Sequence, residues 1–359
     1  MPQSYRYAVI GTGYPHGSEH ATGFGMAHAH MMGFGKLENV ELVAVADLNR
    51  SAAEFFLDKY EKSAVIYSDY RQMLATEKPD IVSICTWPDL HAEMAIAAAD
   101  AGVKVIHCEK PMATSWIDCK RMKEAADRND SRLSFGHQRR YINLFQHVRT
   151  LIQEGKIGKL VQIEAECPNM FDWGTHWLDM MHFYNGEAAA EWVMGQLDCR
   201  KERKIFGVPM ETSGLINVKW ANGVRGVMVC GDDGHIGCTH RIVGEEGVIE
   251  VLSERKYRMM TMSGKGNEEK EIPQPVNDTV LSIQDVVSQL DKPGYRCLLS
   301  VDNAIKSTEI IFAAYYSSLN RCKVDLPLTY DGNALFEVLN LKKNANNNIE
   351  TTMDESCAI

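Results

Sequence analysis

Tyr7-Ala8-Val9-Ile10-Gly11-Thr12-Gly13 decides the expected fold. Four apolar residues are too few for a helix and read as a buried strand. The glycines after them mark a tight turn, where the backbone takes conformations closed to other residues. Three similar runs follow: Val40 to Ala46, ending on Asp47; Ile81 to Cys85; and Val103 to His107. Each is short, rich in β-branched residues and bounded by a turn or a charge. Helical patterns separate them, the alanine-rich Asp89 to Ala101 being the clearest. This alternation predicts an α/β fold, a parallel sheet with helices on both faces.

After about residue 150 the rhythm changes. Leu160-Val161-Gln162-Ile163-Glu164-Ala165-Glu166 alternates apolar and polar, as a strand with one wet face does. Further strands are expected over 214–220, 224–230, 247–252 and 258–262, with a hairpin signal at Asn222-Gly223. No helix separates them, which predicts an antiparallel sheet. A long helix, Val301 to Asn320, leads to Val324-Asp325-Leu326-Pro327, and an Asn-rich polar tail begins at Lys342.

The 359 residues suffice for two domains, and 45% apolar with 24% charged residues is ordinary for a globular protein. A net charge of −10 argues against broad nucleic-acid binding or an anionic membrane partner. No apolar run approaches the ~18 residues of a membrane span. Met1-Pro2-Gln3-Ser4-Tyr5-Arg6 runs straight into a strand, without the features of a signal peptide. The ten cysteines form no CxxC pair, and several lie in apolar stretches. Buried thiols in a reducing cytoplasm are expected.

In a dinucleotide-binding unit the first glycine makes the turn and the second lets the backbone approach a pyrophosphate. Gly11 and Gly13 fit, but no glycine stands three residues later. Tyr14-Pro15-His16-Gly17-Ser18-Glu19-His20-Ala21-Thr22-Gly23-Phe24-Gly25 intervenes. This reads as an insertion of about ten residues, with Gly25 or Gly23 as the third glycine and the helix starting near Met26. An ordinary strand-to-helix turn is the plainer alternative. Asp47, 34 residues after Gly13, favours the dinucleotide. At the end of the second strand, its carboxylate would accept both ribose hydroxyls of NAD and repel the extra phosphate of NADP. Its plain alternative is a surface Asp before a helix start at Asn49-Arg50-Ser51.

Three motifs then carry a resemblance: Asp80-Ile81-Val82-Ser83-Ile84-Cys85-Thr86, Leu90-His91-Ala92-Glu93-Met94-Ala95, and Ala101 to Pro111 with its Glu109-Lys110-Pro111 triplet. The chain resembles the glucose–fructose oxidoreductase / inositol dehydrogenase / rhizopine catabolism (Gfo/Idh/MocA) family from about residue 5 to about 330. The resemblance implies a Rossmann domain, a doubly wound parallel sheet, placed over residues 1–136. It implies a C-terminal α+β domain with a large, mostly antiparallel open sheet over 137–341, which binds substrate and mediates oligomerisation. The polar tail is 342–359. A nicotinamide cofactor, NAD, lies at the domain junction. Carried over residue by residue, its contacts are Gly11, Thr12, Gly13, Tyr14, Gly25, Asp47, Thr86, Trp87, His91, Glu109, Lys110 and Arg139. The resemblance also implies a homo-oligomer, a dimer of dimers or larger.

The family carries an Asp-x-x-x-His motif near the start of a helix in the second domain. Asp172 and His176 have this spacing, while Asp179 and His182 are one residue short. The first pair is taken. In this reading Lys110, His176 and Asp172 are catalytic, and Lys110, Asp172, Trp173 and His176 meet the substrate. Hydride transfer needs the carbinol C–H aimed at the nicotinamide, an acceptor for the hydroxyl proton and stabilisation of the alkoxide. His176 suits the acceptor and Lys110 the stabiliser. Asp172 could share a helical face with His176 and orient its ring or a second hydroxyl.

Each assignment has a plainer rival. A lone lysine is usually at the surface, and His176 and His182 could be satisfied core histidines. With Asp172 and Asp179 they could also be metal ligands. No metal is expected, since the dinucleotide motifs already explain the site. His28 and His30, two apart, face different sides of a helix. Arg139 and Arg140 occupy the domain crossover, either on cofactor or substrate or as a surface pair. Gly231-Asp232-Asp233-Gly234-His235 could reach the pocket. Trp87, Trp173 and Trp177 could stack on a sugar or be core.

The expected reaction is hydride transfer between NAD and a secondary hydroxyl of a sugar or glycoside, at C3 of a glucoside to give the 3-keto form. The inserted loop resembles a glycoside 3-oxidase subgroup. An inositol or free-sugar dehydrogenase is the alternative, and a non-catalytic NAD-binding regulator the alternative from another class. NAD held tightly and recycled would show no net NADH.

Overall fold

The computed structural model describes residues 4–232 and 234–340. The expected tail, 342–359, lies outside the described residues. In chain order the first half comprises β1 (Tyr5–Ile10), α1 (Met26–Phe34), β2 (Val40–Ala46), α2 (Arg50–Lys59), β3 (Val65–Tyr67), α3 (Tyr70–Glu77), β4 (Ile81–Ile84), α4 (Pro88–Asp100), β5 (Val105–Cys108), α5 (Trp116–Arg128), β6 (Arg132–Phe135), a 3-10 turn (Gln138–Tyr141) and α6 (Asn143–Gln153). The second half comprises β7 (Leu160–Cys167), α7 (Trp173–Tyr184), β8 (Ala190–Asp198), β9 (Arg203–Ile205), β10 (Val208–Met210), β11 (Ser213–Trp220), β12 (Arg225–Gly231), β13 (His240–Gly244), β14 (Gly247–Val251), β15 (Lys256–Thr261), β16 (Glu268–Glu271), α8 (Asp278–Ser288), α9 (Val301–Asn320) and β17 (Val324–Asp325).

The first sheet is parallel throughout, in the order β3-β2-β1-β4-β5-β6. Its central strands are covered on both faces, which is why they read as continuous apolar runs: every residue of β4 and β5 is buried. The strand order reverses between β1 and β4, and a crevice opens beyond the carboxyl ends of strands at such a switch point. Gly11 sits there. A Cβ on it would come within 2.8 Å of Thr86 Cγ2 at the end of β4.

The second sheet runs β16-β15-β14-β13-β7-β12-β11-β8-β17, antiparallel except for the pair β12 and β7. Helices α7 and α9 pack against it. On the face that α9 packs against, Gly195 allows the α9 backbone to approach closely: its Cβ would lie 2.3 Å from Ala314 O. A separate hairpin, β9 and β10, turns at Phe206-Gly207.

Helix α8 packs back on the first sheet. Ile283, Val286, Val287, Cys297 and Leu299 share one buried cluster with Tyr5, Tyr7 and Val9. The α8 sequence gives its apolar face but not the surface that face covers. Among the described residues, no helix is long and apolar enough to cross a membrane.

Candidate active site

A cavity of about 790 Å³ runs from Asp47, at the end of β2, past Gly11 to Gly13 and Thr86, to Lys110, Asp172 and His176. The expected insertion between Gly13 and α1 is present and lines it. Of the two candidate third glycines, Gly25 takes the role. It caps α1 with φ 61° and ψ 45°, and a Cβ there would stand 2.4 Å from Tyr14 O. His28, on α1, steadies the loop from below, with Nε2 3.3 Å from Gly13 O.

Asp47 is more tied down than the sequence implies. Its Oδ2 accepts from Thr12 N (2.8 Å), Thr12 Oγ1 (2.7 Å) and Gly13 N (3.1 Å), and its Oδ1 accepts from Asn49 N (2.8 Å). A carboxylate offers about four lone-pair positions, so the capacity left for a ribose lies on Oδ1. The expectation that it takes both ribose hydroxyls is narrowed accordingly. Its negative charge still faces the cavity.

At the far end, β5 carries Glu109 and Lys110 past its last residue, and α7 brings Asp172 and His176. Asn169 Oδ1 accepts from Asp172 N (2.7 Å) and Trp173 N (3.1 Å), fixing the head of α7. Lys110 Nζ donates to Asp172 Oδ1 across the junction. Asp172 Oδ2 is buried without a partner, and so is His176 Nδ1. Asp172 therefore holds the lysine and does not orient the His176 ring. Burial, then the charges of Lys110 and Arg139, hold the His176 imidazole well below the ordinary histidine range. It is neutral, with a nitrogen free to accept a proton. The Lys110–Pro111 peptide is cis.

Glu109 is buried beneath this end. His30 Nε2 lies 2.9 Å from its Oε1, and Lys110 N donates to its Oε2 at 3.2 Å. Burial works against its charge, but the His30 hydrogen bond and the neighbouring positive groups bring its pKa down to about 2. His30 Nδ1 lies 3.1 Å from Ser83 Oγ. His28 and His30 thus serve separate networks, as their spacing implies.

Of the expected cofactor contacts, His91 alone is not in the cavity wall. It is fully buried, Nδ1 2.8 Å from Pro111 O and Nε2 3.1 Å from Thr86 O. It positions two loops that do line the cavity. Arg140 is no surface residue. It grips both oxygens of Asp179 (2.7 and 2.8 Å) and reaches Glu187 at 2.6 Å. Asp179 is thereby spent, which removes it from any metal set with His176 and His182. Among the described residues, no group of three or more His, Cys, Asp or Glu is arranged to hold a metal. Arg139 lines the cavity with Lys110, Asp172 and His176. Trp87 and Trp173 line it too, whereas Trp177 is core, its Nε1 donating to Glu166 O. Asp232 is exposed and paired with Lys201 and Arg203, and neither Gly231 nor His235 lines the cavity; Asp233 lies outside the described residues.

Sequence reasoning missed Phe206. From the β9–β10 turn it meets Phe24 of the inserted loop and Trp87, each with ring centroids 5.8 Å away, and all three line the cavity. Short strands with no alternation gave no signal of it.

Residues 5–137 match the family described as "Oxidoreductase family, NAD-binding Rossmann fold" (Gfo/Idh/MocA). The match covers the first sheet and the helices that flank it. Inositol 2-dehydrogenase of Salmonella paratyphi B is 30% identical over 164 residues, 42% of this chain and 48% of that protein. The match thus spans about half the length of that relative. Inositol 2-dehydrogenase/D-chiro-inositol 3-dehydrogenase of Shouchella clausii is 24% identical over 282 residues, 73% of this chain and 76% of that one. An oxidoreductase from Agrobacterium radiobacter, solved with NAD+, L-tartaric acid and magnesium, superposes with a TM-score of 0.75 at 19% identity, covering 90% of this chain and 98% of that chain. That likeness supports the fold. The cavity suits NAD: the close Gly25 turn, the Asp47 carboxylate and the unpartnered Asp172 Oδ2 and His176 Nδ1 lie at opposite ends of one groove.

Proposed function

We propose that the protein is an NAD-dependent oxidoreductase acting on a secondary hydroxyl of a sugar or polyol. The convergence of Lys110, Asp172 and His176 at one end of the groove carries this reading. Bound NAD would accept hydride from the carbinol carbon. His176, neutral and desolvated, takes the hydroxyl proton. Lys110, held by Asp172, donates to the same oxygen and stabilises its developing charge. Asp172 Oδ2, buried and unpartnered, accepts from a neighbouring hydroxyl, which favours a substrate with vicinal hydroxyls. The pair of ionised and neutral groups favours catalysis over the regulator reading.

The finer reading is oxidation at C3 of a glucoside. The inserted loop supports it, since Phe24, Trp87 and Phe206 give the cavity an aromatic wall suited to a glycoside larger than a free sugar. The inositol dehydrogenases among the relatives favour a second reading, an inositol or free-sugar dehydrogenase. Incubation with NAD and a panel of glucosides, inositols and free sugars separates them, following NADH and products two hydrogens lighter. A lighter product without net NADH means that NAD is retained and recycled. No lighter product with any compound refutes the enzyme reading.

Self-association belongs to the same proposal. Met194, Leu215 and Met260 are exposed on the sheet face away from α9, at 49%, 39% and 39%. A homo-oligomer that covers this face would remove them from water. Light scattering on Met194→Lys/Leu215→Lys protein should show a smaller assembly than the parent; an unchanged mass rejects this face.

A further inference from the structure

Arg139 stands apart from the other charges at the reactive end. Its guanidinium carbon lies 5.0 Å from the Trp173 ring centre and 4.6 Å from that of Trp177, and its side chain is 11% exposed. The two indoles fix where the guanidinium points. Lys110 is matched by the buried Asp172, and Glu109 by the buried His30. Arg139 is matched by Glu254, which is 54% exposed on the turn between β14 and β15. Arg139 Nε is buried without an acceptor.

We propose that Arg139 binds a carboxylate on the substrate, so that the sugar or polyol turned over here is an acid, such as a hexuronoside or an aldonic acid. This rests on the oxidoreductase reading above and names the substrate class of that same site. A planar guanidinium with parallel N–H donors matches a carboxylate, and a hydroxyl cannot neutralise it. An incoming carboxylate would displace Glu254, which returns to water at little cost because it is already half exposed. The ion pair so formed lies deeper, where screening by solvent is weaker.

The test compares matched pairs on the full-length protein with NAD: methyl β-glucuronide against methyl β-glucoside, and gluconate against sorbitol. The acid of at least one pair should have the higher kcat/KM. Arg139→Gln should lower the acid-to-neutral ratio on the order of 30-fold, the usual weight of a charged hydrogen bond. Glu254→Gln removes the competing carboxylate and should lower KM for the acid. Preference for the neutral member in both pairs, or an unchanged ratio in Arg139→Gln, overturns the proposal. Gluconate binding to NADH-loaded protein, measured by calorimetry, decides the matter separately from turnover. Binding that weakens in Arg139→Gln supports it even if the oxidoreductase reading fails. Equal binding in both proteins, or weakened NADH binding with an unchanged acid-to-neutral ratio, assigns Arg139 to the cofactor instead.

Discussion

Lys110 and Asp172 form an ion pair across the domain junction, the lysine from the end of β5 and the aspartate from the head of α7. Their side chains are 14% and 1% exposed, so neither charge is well solvated alone. Breaking such a pair by removing one partner costs about 3–5 kcal/mol. Lys110→Met should therefore destabilise the protein to urea and lower turnover about 10²- to 10⁴-fold. The double variant Lys110→Met/Asp172→Leu should regain stability and remain inactive, because packing replaces the pair but not the donor. NADH binding should survive in both. Recovery of activity in the double variant would contradict the role given to Lys110.

With His176 as the proton acceptor, its titration should set the acid limb of the pH profile. Its pKa lies well below the ordinary value, first through burial, then through Lys110 and Arg139. A base must be unprotonated, so kcat/KM should stay level as pH falls through 6.5 and drop only well below it. An NMR titration of the His176 ring in Lys110→Met should show its pKa moved upward, still short of the ordinary value because burial remains. A wild-type limb at 6.5 would place the proton acceptor elsewhere.

Much of this site was legible because its signals are local. Gly11, Gly13 and Asp47 sit at strand ends that apolar runs reveal, and Asp172 and His176 keep a helical spacing. The helix over Val301 to Asn320 and the Asn49 start of α2 follow from pattern and capping alone. What was hidden depends on partners distant in sequence. Glu254 meets Arg139 from 115 residues away, and α8 covers a sheet begun some 270 residues earlier. Strands β8 and β13 lack a turn signal or clean alternation, because their neighbours in the sheet, not their own sequences, supply half their contacts. The sequence also presents Asp47 as a free carboxylate, since nothing local announces that Thr12 and Gly13 already use it.

That double duty shapes the Asp47 prediction. Asp47→Ser removes the charge that disfavours an extra phosphate and an acceptor that holds the glycine loop. The ratio of kcat/KM for NAD over NADP should fall by about tenfold or more. Affinity for both cofactors should also weaken, because Thr12 and Gly13 lose their anchor. A ratio that does not move would mean that Asp47 acts on the loop alone.

The buried histidines should make the fold acid-sensitive in a window above the carboxylates. Burial, the largest cause in each, brings His107 and His240 to about 3 and His182 to about 4. His182 has both ring nitrogens buried without a hydrogen-bond partner, and the charges of Glu187 and Asp179 offset its burial only in part. An unfolded histidine titrates near 6.5. Because the folded values lie lower, the unfolded chain takes up protons first as pH falls, and stability present above 6.5 is lost on the way down. Each histidine contributes a slope of about 1.4 kcal/mol per pH unit, so three give about 4 kcal/mol per unit between 6 and 4. The loss of about 8 kcal/mol over that span is comparable to a total stability of about 5–15 kcal/mol, so the fold should be only marginally stable near pH 4. Glu109, held at about 2, adds its loss as pH falls from the unfolded carboxylate value near 4 toward 2, so its window lies mostly below that of the histidines. Urea midpoints measured from pH 7 to 4.5 should fall steadily, and His182→Asn should flatten the slope by about one proton. A midpoint constant from 6.5 to 5 would show that these rings take up protons inside the fold as readily as in the unfolded chain.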